Sequence, residues 1–166
     1  MRFFYICSAV LIGMTSSLSA KALDNRQMVP LVLFSGGIFN VQRDAKSAQF
    51  ELQYKFAVDF FMARPQIGGF ATSKGATYLY AGFGWDLHFS RFLVVTPSFS
   101  AGYYQKGKDK DLGYPIEFRT CAEVAYLFRN KSRLGFQFYH LSNASLSSRN
   151  PGEESLTFFY ALPLSR

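Results

Sequence analysis

Apolar and polar residues alternate along most of this chain from Lys46 onward, and this period of two constrains the fold more than any other feature. In the clearest run, apolar side chains occupy every second position from Ala48 to Phe56, with Gln, Glu and Lys between them. Successive side chains of a strand point to opposite faces, so each such run predicts a strand with one apolar and one polar face. Aromatic residues, which favour strands, make up 18% of the chain. An all-β protein is therefore expected.

Eight segments of this kind predict an eight-stranded antiparallel transmembrane barrel that runs up and down. Their approximate bounds are residues 30–40, 46–58, 60–70, 75–89, 91–104, 115–128, 132–142 and 154–164. The connections near residues 59, 90 and 130 are short, whereas 105–114 and 143–153 are longer and polar, as in outer-membrane barrels. The polar faces mix opposite charges with glutamine, which suits the narrow, side-chain-filled interior of an eight-stranded barrel.

The first 22 residues have the pattern of an export signal. Arg2 supplies the positive start, residues 3–14 are an apolar core, and residues 20–22 form a small-x-small cleavage site. The apolar core is too short to cross a bilayer as a helix. Cleavage would leave residues 23–166 as one barrel domain, and its net charge would be +5 instead of +7 because Arg2 and Lys21 are lost.

The remaining basic residues and cysteines argue against several functional classes. The basic residues are scattered and form no nucleic-acid-binding motif. Cys7 lies in the signal, which leaves Cys121 and two histidines, too few for a disulfide framework or a structural zinc site. We therefore expect Cys121 to be structural, and we expect no metal, no organic cofactor and no nucleic-acid partner.

A histidine and a serine stand two positions apart at the end of the seventh predicted strand. Residues i and i+2 of a strand share one face and lie roughly 6–7 Å apart, so the side chains of His140 and Ser142 can meet. They share this face with the apolar residues Leu134, Phe136 and Phe138. If the apolar face meets lipid, the pair lies on the outside of the barrel at a membrane surface.

A carboxylate follows at the start of the eighth predicted strand. Glu154 shares a face with the apolar side chains of that strand, whereas Glu153 points the other way. A nucleophile, a base and an orienting acid are what acyl transfer requires on any fold. His140, Ser142 and Glu154 are therefore a candidate catalytic triad.

The sequence around these three residues resembles that of a known family. It has the pattern HxSNA at 140–144, NPG at 150–152 and Glu at 154, followed by a terminal aromatic strand. This resembles the outer-membrane lipid A 3-O-deacylases (PagL-like), strongly over residues 132–164 and more weakly over 112–128; upstream it depends on the barrel pattern alone. The resemblance implies an eight-stranded barrel that hydrolyses the primary 3-hydroxyacyl ester at position 3 of lipid A with a Ser-His-Glu triad on its outer face.

The resemblance also implies a role for each residue of the site. Ser142 would be the nucleophile, His140 the general base and Glu154 the residue that orients the imidazole. Asn143 is a candidate, together with nearby backbone N–H groups, for stabilising the oxyanion. Ser145 stands where many relatives are expected to have glycine. Homodimer formation is left open.

The predicted topology places this site at the external surface. With a periplasmic N-terminus the seventh strand ends outside, at the outer leaflet of a Gram-negative outer membrane, which is largely lipopolysaccharide. Basic residues of the external loops are expected to contact lipid A phosphates by charge-assisted bonds, with an ordinary solvated loop as the alternative. These residues are Lys106, Lys108, Lys110 and Arg149.

Two other functions explain part of the pattern. A non-catalytic structural or adhesive outer-membrane barrel accounts for the strands and the export signal, but not for the three polar residues on the apolar face. A periplasmic β-sandwich that binds a small apolar ligand requires the apolar faces to be buried against each other.

Overall fold

The computed structural model describes residues 21–22, 28–43 and 46–164, and most of the predicted export signal lies outside these ranges. Eight long strands account for most of the described chain. They are β1 (Leu31–Phe39), β2 (Ser47–Lys55), β3 (Arg64–Thr72), β4 (Thr77–Gly84), β5 (Leu93–Gln105), β6 (Ile116–Leu127), β7 (Arg133–Ser142) and β8 (Glu153–Pro163). Two further two-residue strands, Lys21–Ala22 and Leu87–His88, pair with each other, and the second also pairs with β5.

The eight strands close into one barrel. Each pairs antiparallel with its neighbour in the sequence, and β8 also pairs with β1, where Leu156 lies opposite Ile38. Closure leaves no long strand edge unpaired within the barrel. The predicted eight-stranded up-and-down barrel is therefore confirmed, and the sandwich alternative is wrong.

The third strand begins later than the sequence pattern suggested, at Arg64 instead of near residue 60. Phe60 and Ala63 exchange two backbone hydrogen bonds, of 2.8 and 3.0 Å, around a two-residue turn. Phe61 and Met62 in this turn have φ values of 52° and 65°. Bulky side chains rarely adopt this left-handed conformation, so the apolar run through residues 60–62 gave no indication of a turn.

The apolar faces of the strands point outward and the polar faces inward. On β2, for example, Phe50 is 70% exposed whereas Gln49 is fully buried. This is the reverse of a water-soluble protein and matches a barrel surrounded by lipid. No helix among the described residues is long and apolar enough to span a membrane.

Charged side chains fill the barrel interior. Arg133 and Arg64 both pair with Asp86, with N–O distances of 2.6 and 3.1 Å. Closer to the end of the barrel where β7 ends, the Arg119 guanidinium lies 3.2 Å from the Glu51 carboxylate and 4.1 Å from the centre of the Tyr139 ring. Buried charges are stable only when they are paired, and these pairs occupy the space that a channel would need.

Four connections lie at one end of the barrel and three at the other. At the first end the strands are joined by residues 40–46, 73–76, 106–115 and 143–152. At the second end they are joined by residues 56–63, 85–92 and 128–132. In the topology of outer-membrane barrels the first is the external end. β7 ends and β8 begins there, so the predicted triad lies at the external rim.

Candidate active site

The pairing of β7 with β8 brings His140 and Glu154 together. The two residues are direct cross-strand partners, and His140 Nδ1 lies 3.1 Å from Glu154 Oε1. Their side chains are 40% and 24% exposed on the outward face of the barrel. A carboxylate in this position fixes the orientation of the ring and favours the tautomer that carries its proton on Nδ1, which leaves Nε2 free to accept a proton.

Ser142 is the last residue of β7 and follows His140 on the same outward face. It is partly exposed, and its partner on β6 is Phe118. Within the described residues there is no hydrogen bond between Ser142 and His140. Contacts between a nucleophile and its base are often long before the substrate binds, and the i, i+2 spacing keeps the two side chains within reach.

The neighbouring Glu153 has a different environment. Its side chain is fully buried in the barrel, where Oε2 accepts hydrogen bonds from the Asn40 backbone N–H at 3.1 Å and from Ser155 Oγ at 2.9 Å. Alternation along β8 therefore separates two adjacent carboxylates onto opposite faces. Of these two carboxylates, only that of Glu154 contacts His140.

Gly152 packs directly against the imidazole of His140. A Cβ atom at this position would lie 2.6 Å from His140 Cε1 and 3.2 Å from Nε2, and the φ of Gly152 is +56°. Both the close contact and the left-handed backbone require glycine here. The sequence indicates that Gly152 is part of a turn, but its contact with the ring depends on strand pairing and was not predicted.

Replacing Gly152 with alanine is expected to reduce ester hydrolysis roughly 10- to 100-fold with the barrel still folded. The added methyl group displaces the imidazole from its alignment, and misplacement of about 1 Å in a catalytic group costs on this order. The measurement is the hydrolysis rate in detergent micelles, with folding checked by heat-modifiable gel migration. Gly75→Ala is the matched control, since its φ is +87° but no atom lies within 4 Å of an added Cβ. Equal losses in both variants would contradict a role in positioning His140.

Asn143 stabilises the turn that follows β7. It is fully buried, and its Nδ2 donates to the backbone oxygens of Leu112 and Arg149, each at 3.0 Å. Its backbone N–H donates to Asn150 Oδ1 at 3.0 Å. Stabilisation of an oxyanion by the Asn143 side chain stays a prediction. It requires Nδ2 to replace one of these two hydrogen bonds with a hydrogen bond to the oxyanion.

Two residues in this turn have left-handed backbone conformations. The φ values are 50° for Ala144 and 65° for Ser145. Non-glycine residues adopt this region at a cost of about 1 kcal/mol or more. Glycine adopts this conformation without that cost, so position 145 favours glycine on physical grounds.

The four basic residues predicted to contact phosphate fall into two groups. Lys106 and Arg149 both pair with Asp111, with N–O distances of 2.9 and 3.5 Å. Lys108 and Lys110 instead line a cavity above the external mouth of the barrel. Arg43 and Lys74 also line this cavity. They were not predicted from the sequence as phosphate contacts, because they lie in other loops.

Fold and site together define a membrane-embedded β-barrel with a paired histidine and glutamate, next to a serine, on its lipid-facing surface at the external rim. The family model described as lipid A 3-O-deacylase (PagL) matches residues 48–163. The chain therefore belongs to the lipid A 3-O-deacylase (PagL) family and is a carboxylic ester hydrolase of the outer membrane. This confirms the resemblance found around residues 140–154.

Comparison with solved structures supports the same fold. The crystal structure of the outer membrane enzyme PagL is similar to this chain with a TM-score of 0.65 and 17% identity, over 81% of this chain and 99% of that one. A structure described as a de novo design of transmembrane β-barrels has a TM-score of 0.57 and 13% identity, over 82% of this chain and 96% of that one. No curated protein matches the sequence at a significant level.

Proposed function

We propose that this protein hydrolyses the 3-hydroxyacyl ester at position 3 of lipid A by a mechanism that uses Ser142, His140 and Glu154. The observation that supports this most directly is the 3.1 Å contact between His140 Nδ1 and Glu154 Oε1 on the outward face. A paired imidazole and carboxylate at a lipid-facing rim, next to a serine, has no evident structural purpose, because polar groups are costly there.

The first half of the reaction forms an acyl-enzyme. Ser142 Oγ attacks the ester carbonyl carbon while His140 Nε2 accepts the hydroxyl proton, and the Glu154 carboxylate stabilises the resulting imidazolium. The tetrahedral intermediate then collapses, the bond to the sugar oxygen breaks, and His140 returns the proton to that oxygen. The products of this half are the 3-hydroxyl of the sugar and an acyl ester on Ser142.

The second half regenerates the enzyme. Water attacks the Ser142 acyl ester as His140 Nε2 takes one of its protons, and the proton passes to Ser142 Oγ when the tetrahedral intermediate collapses. The free 3-hydroxy fatty acid leaves. The proton transfers of both halves use only the three side chains and water.

The oxyanion needs donors close to Ser142. Because the Asn143 backbone N–H and the Ser145 backbone N–H already donate within the turn, to Asn150 Oδ1 and to Asn143 Oδ1, the N–H of Ala144 is the favoured backbone donor. Asn143 contributes mainly by holding the turn, and its amide is a second candidate donor. Loss of one oxyanion donor typically reduces the rate by roughly 10²–10³.

The outward face next to the triad suits an acyl chain. Phe138 precedes His140 on this face of β7, Leu156 lies opposite Phe138 on β8, and Ile38 lies opposite Leu156 on β1. All three side chains are exposed. An acyl chain lying across this row would exchange lipid contacts for protein contacts while its ester reached Ser142.

The test is mass spectrometry of lipid A after incubation with the purified wild-type barrel in detergent micelles. We expect lipid A to lose the mass of one 3-hydroxyacyl chain and the corresponding free fatty acid to appear. Micelles without protein and heat-unfolded protein are the controls. Lipid A left intact by folded wild-type protein, or loss of a secondary acyl chain instead, would overturn the proposal.

A further inference from the structure

We infer that the cavity above the external mouth is an anion subsite that binds a phosphate group of the lipopolysaccharide headgroup; this inference rests on the proposed function. The cavity has a volume of about 390 Å³ and is lined by residues from all four external connections. Its charged lining consists of Arg43, Lys74, Lys108, Asp109 and Lys110. We call it the basic cavity.

The charges of the basic cavity are unbalanced within its own lining. Among the described residues of the lining there are four cations and one carboxylate. That carboxylate already has partners, because Asp109 accepts hydrogen bonds from Ser47 Oγ at 2.8 Å and from Thr72 Oγ1. Burial, and then the charge of Arg43, lowers the pKa of the Lys110 ammonium. An anion in the cavity would relieve this repulsion and accept charge-assisted hydrogen bonds from several directions.

The walls of the basic cavity are joined to each other without a ligand. The backbone N–H of Lys108 donates to the Lys74 carbonyl at 3.0 Å, which connects the third external connection to the second. Gly107 lies so close that an added Cβ would be 2.4 Å from the carbonyl group of Gly75. Lys74 Nζ donates to the Lys46 carbonyl at 2.8 Å, which connects the second to the first. A preassembled site loses little conformational entropy when an anion binds.

The basic cavity is also connected to the catalytic histidine. Lys110 Nζ donates to the Gly152 carbonyl and lies 3.4 Å from Asn40 Oδ1, and Gly152 packs against the His140 ring. Pro151, which precedes Gly152, forms part of the cavity wall. A phosphate in the cavity is therefore separated from the triad by a single turn of chain. A substrate that carries an ester and a phosphate on one sugar headgroup fits this arrangement.

Two of the predicted phosphate contacts lie outside the basic cavity. Lys106 and Arg149 neutralise Asp111 and are not in the cavity lining. The subsite is thus formed by Lys74, Lys108 and Arg43, with Lys110 shared between the anion and the Gly152 carbonyl.

The experiment compares bisphosphorylated lipid A with the same lipid after phosphatase treatment. For Lys74→Gln/Lys108→Gln we expect the KM for bisphosphorylated lipid A to rise roughly tenfold or more with kcat nearly unchanged, because two charge-assisted contacts are lost. The KM for the phosphate-free lipid should not change. Arg91→Gln/Arg129→Gln removes the same charge from the opposite end of the barrel and controls for net charge.

Binding to the Ser142→Ala barrel separates the subsite from the chemistry. Bisphosphorylated lipid A should bind more tightly than phosphate-free lipid, and the Lys74→Gln/Lys108→Gln changes should remove this difference. Equal binding of the two lipids before those changes would overturn the subsite even if wild-type protein deacylates lipid A. Phosphate-dependent binding without deacylation by wild-type protein would support the subsite and overturn the proposed reaction.

Discussion

Replacing Ser142 with alanine is expected to reduce the release of the 3-hydroxyacyl chain roughly 10³-fold or more, and His140→Ala should have a similar effect. In the proposed mechanism the two residues take part in the same proton transfer, so removing the second after the first should cause little further loss of rate. The double variant should therefore be about as slow as the slower single variant. Time-resolved mass spectrometry of lipid A in micelles measures all three rates.

The folding of each variant must be controlled, because both residues lie in a strand. Heat-modifiable gel migration reports barrel closure, and Ser148→Ala provides a matched control since Ser148 is exposed in the connection that follows the same strand. It should keep wild-type activity. A shared mechanism would be excluded if the double variant lost rate by the product of the two single losses. It would also be excluded if a folded Ser142→Ala barrel released the acyl chain at a rate within tenfold of wild type.

The architecture could be predicted from the sequence because barrels of this kind follow local rules. Alternation alone indicates which side chains of a strand share a face, and it is sufficient to assign Glu154 and Glu153 to opposite faces. The eight observed strands fall near the predicted segments. The two largest deviations are the end of the fourth strand, at Gly84 instead of near residue 89, and the start of the third, at Arg64 instead of near residue 60. The second occurs because Phe61 and Met62 adopt backbone conformations that usually belong to glycine or asparagine.

Contacts between distant parts of the chain were not predictable in the same way. The packing of Gly152 on His140 depends on the register of two strands, and the register depends on the whole sheet. The basic cavity brings Arg43, Lys74 and Lys108 together from three connections whose sequences show no shared motif. The lysines of one loop form a single group in the sequence, whereas the structure divides them between Asp111 and the cavity.

The adjacent glutamates at the start of β8 allow a sharp test of the proposed mechanism. Glu154→Gln is expected to lower the rate of deacylation roughly 10²–10⁴-fold. The amide retains the size of the side chain but loses the charge that stabilises the imidazolium, and its N–H₂ group can enforce the wrong tautomer at His140 Nδ1. KM should change little, because Glu154 is proposed to contact the base and not the substrate. The measurement is kcat and KM in micelles with bisphosphorylated lipid A.

Glu153→Gln is the matched control, one residue away and with the same chemical change. Glu153 lies inside the barrel, where an amide oxygen can still accept from the Asn40 N–H and from Ser155 Oγ. Its activity should stay within a few-fold of wild type, since its side chain does not contact His140. Equal losses in the two variants would mean that the change from a carboxyl group to an amide at this rim acts through a general effect on the barrel. The 3.1 Å contact with His140 Nδ1 would then not be the means by which Glu154 supports catalysis.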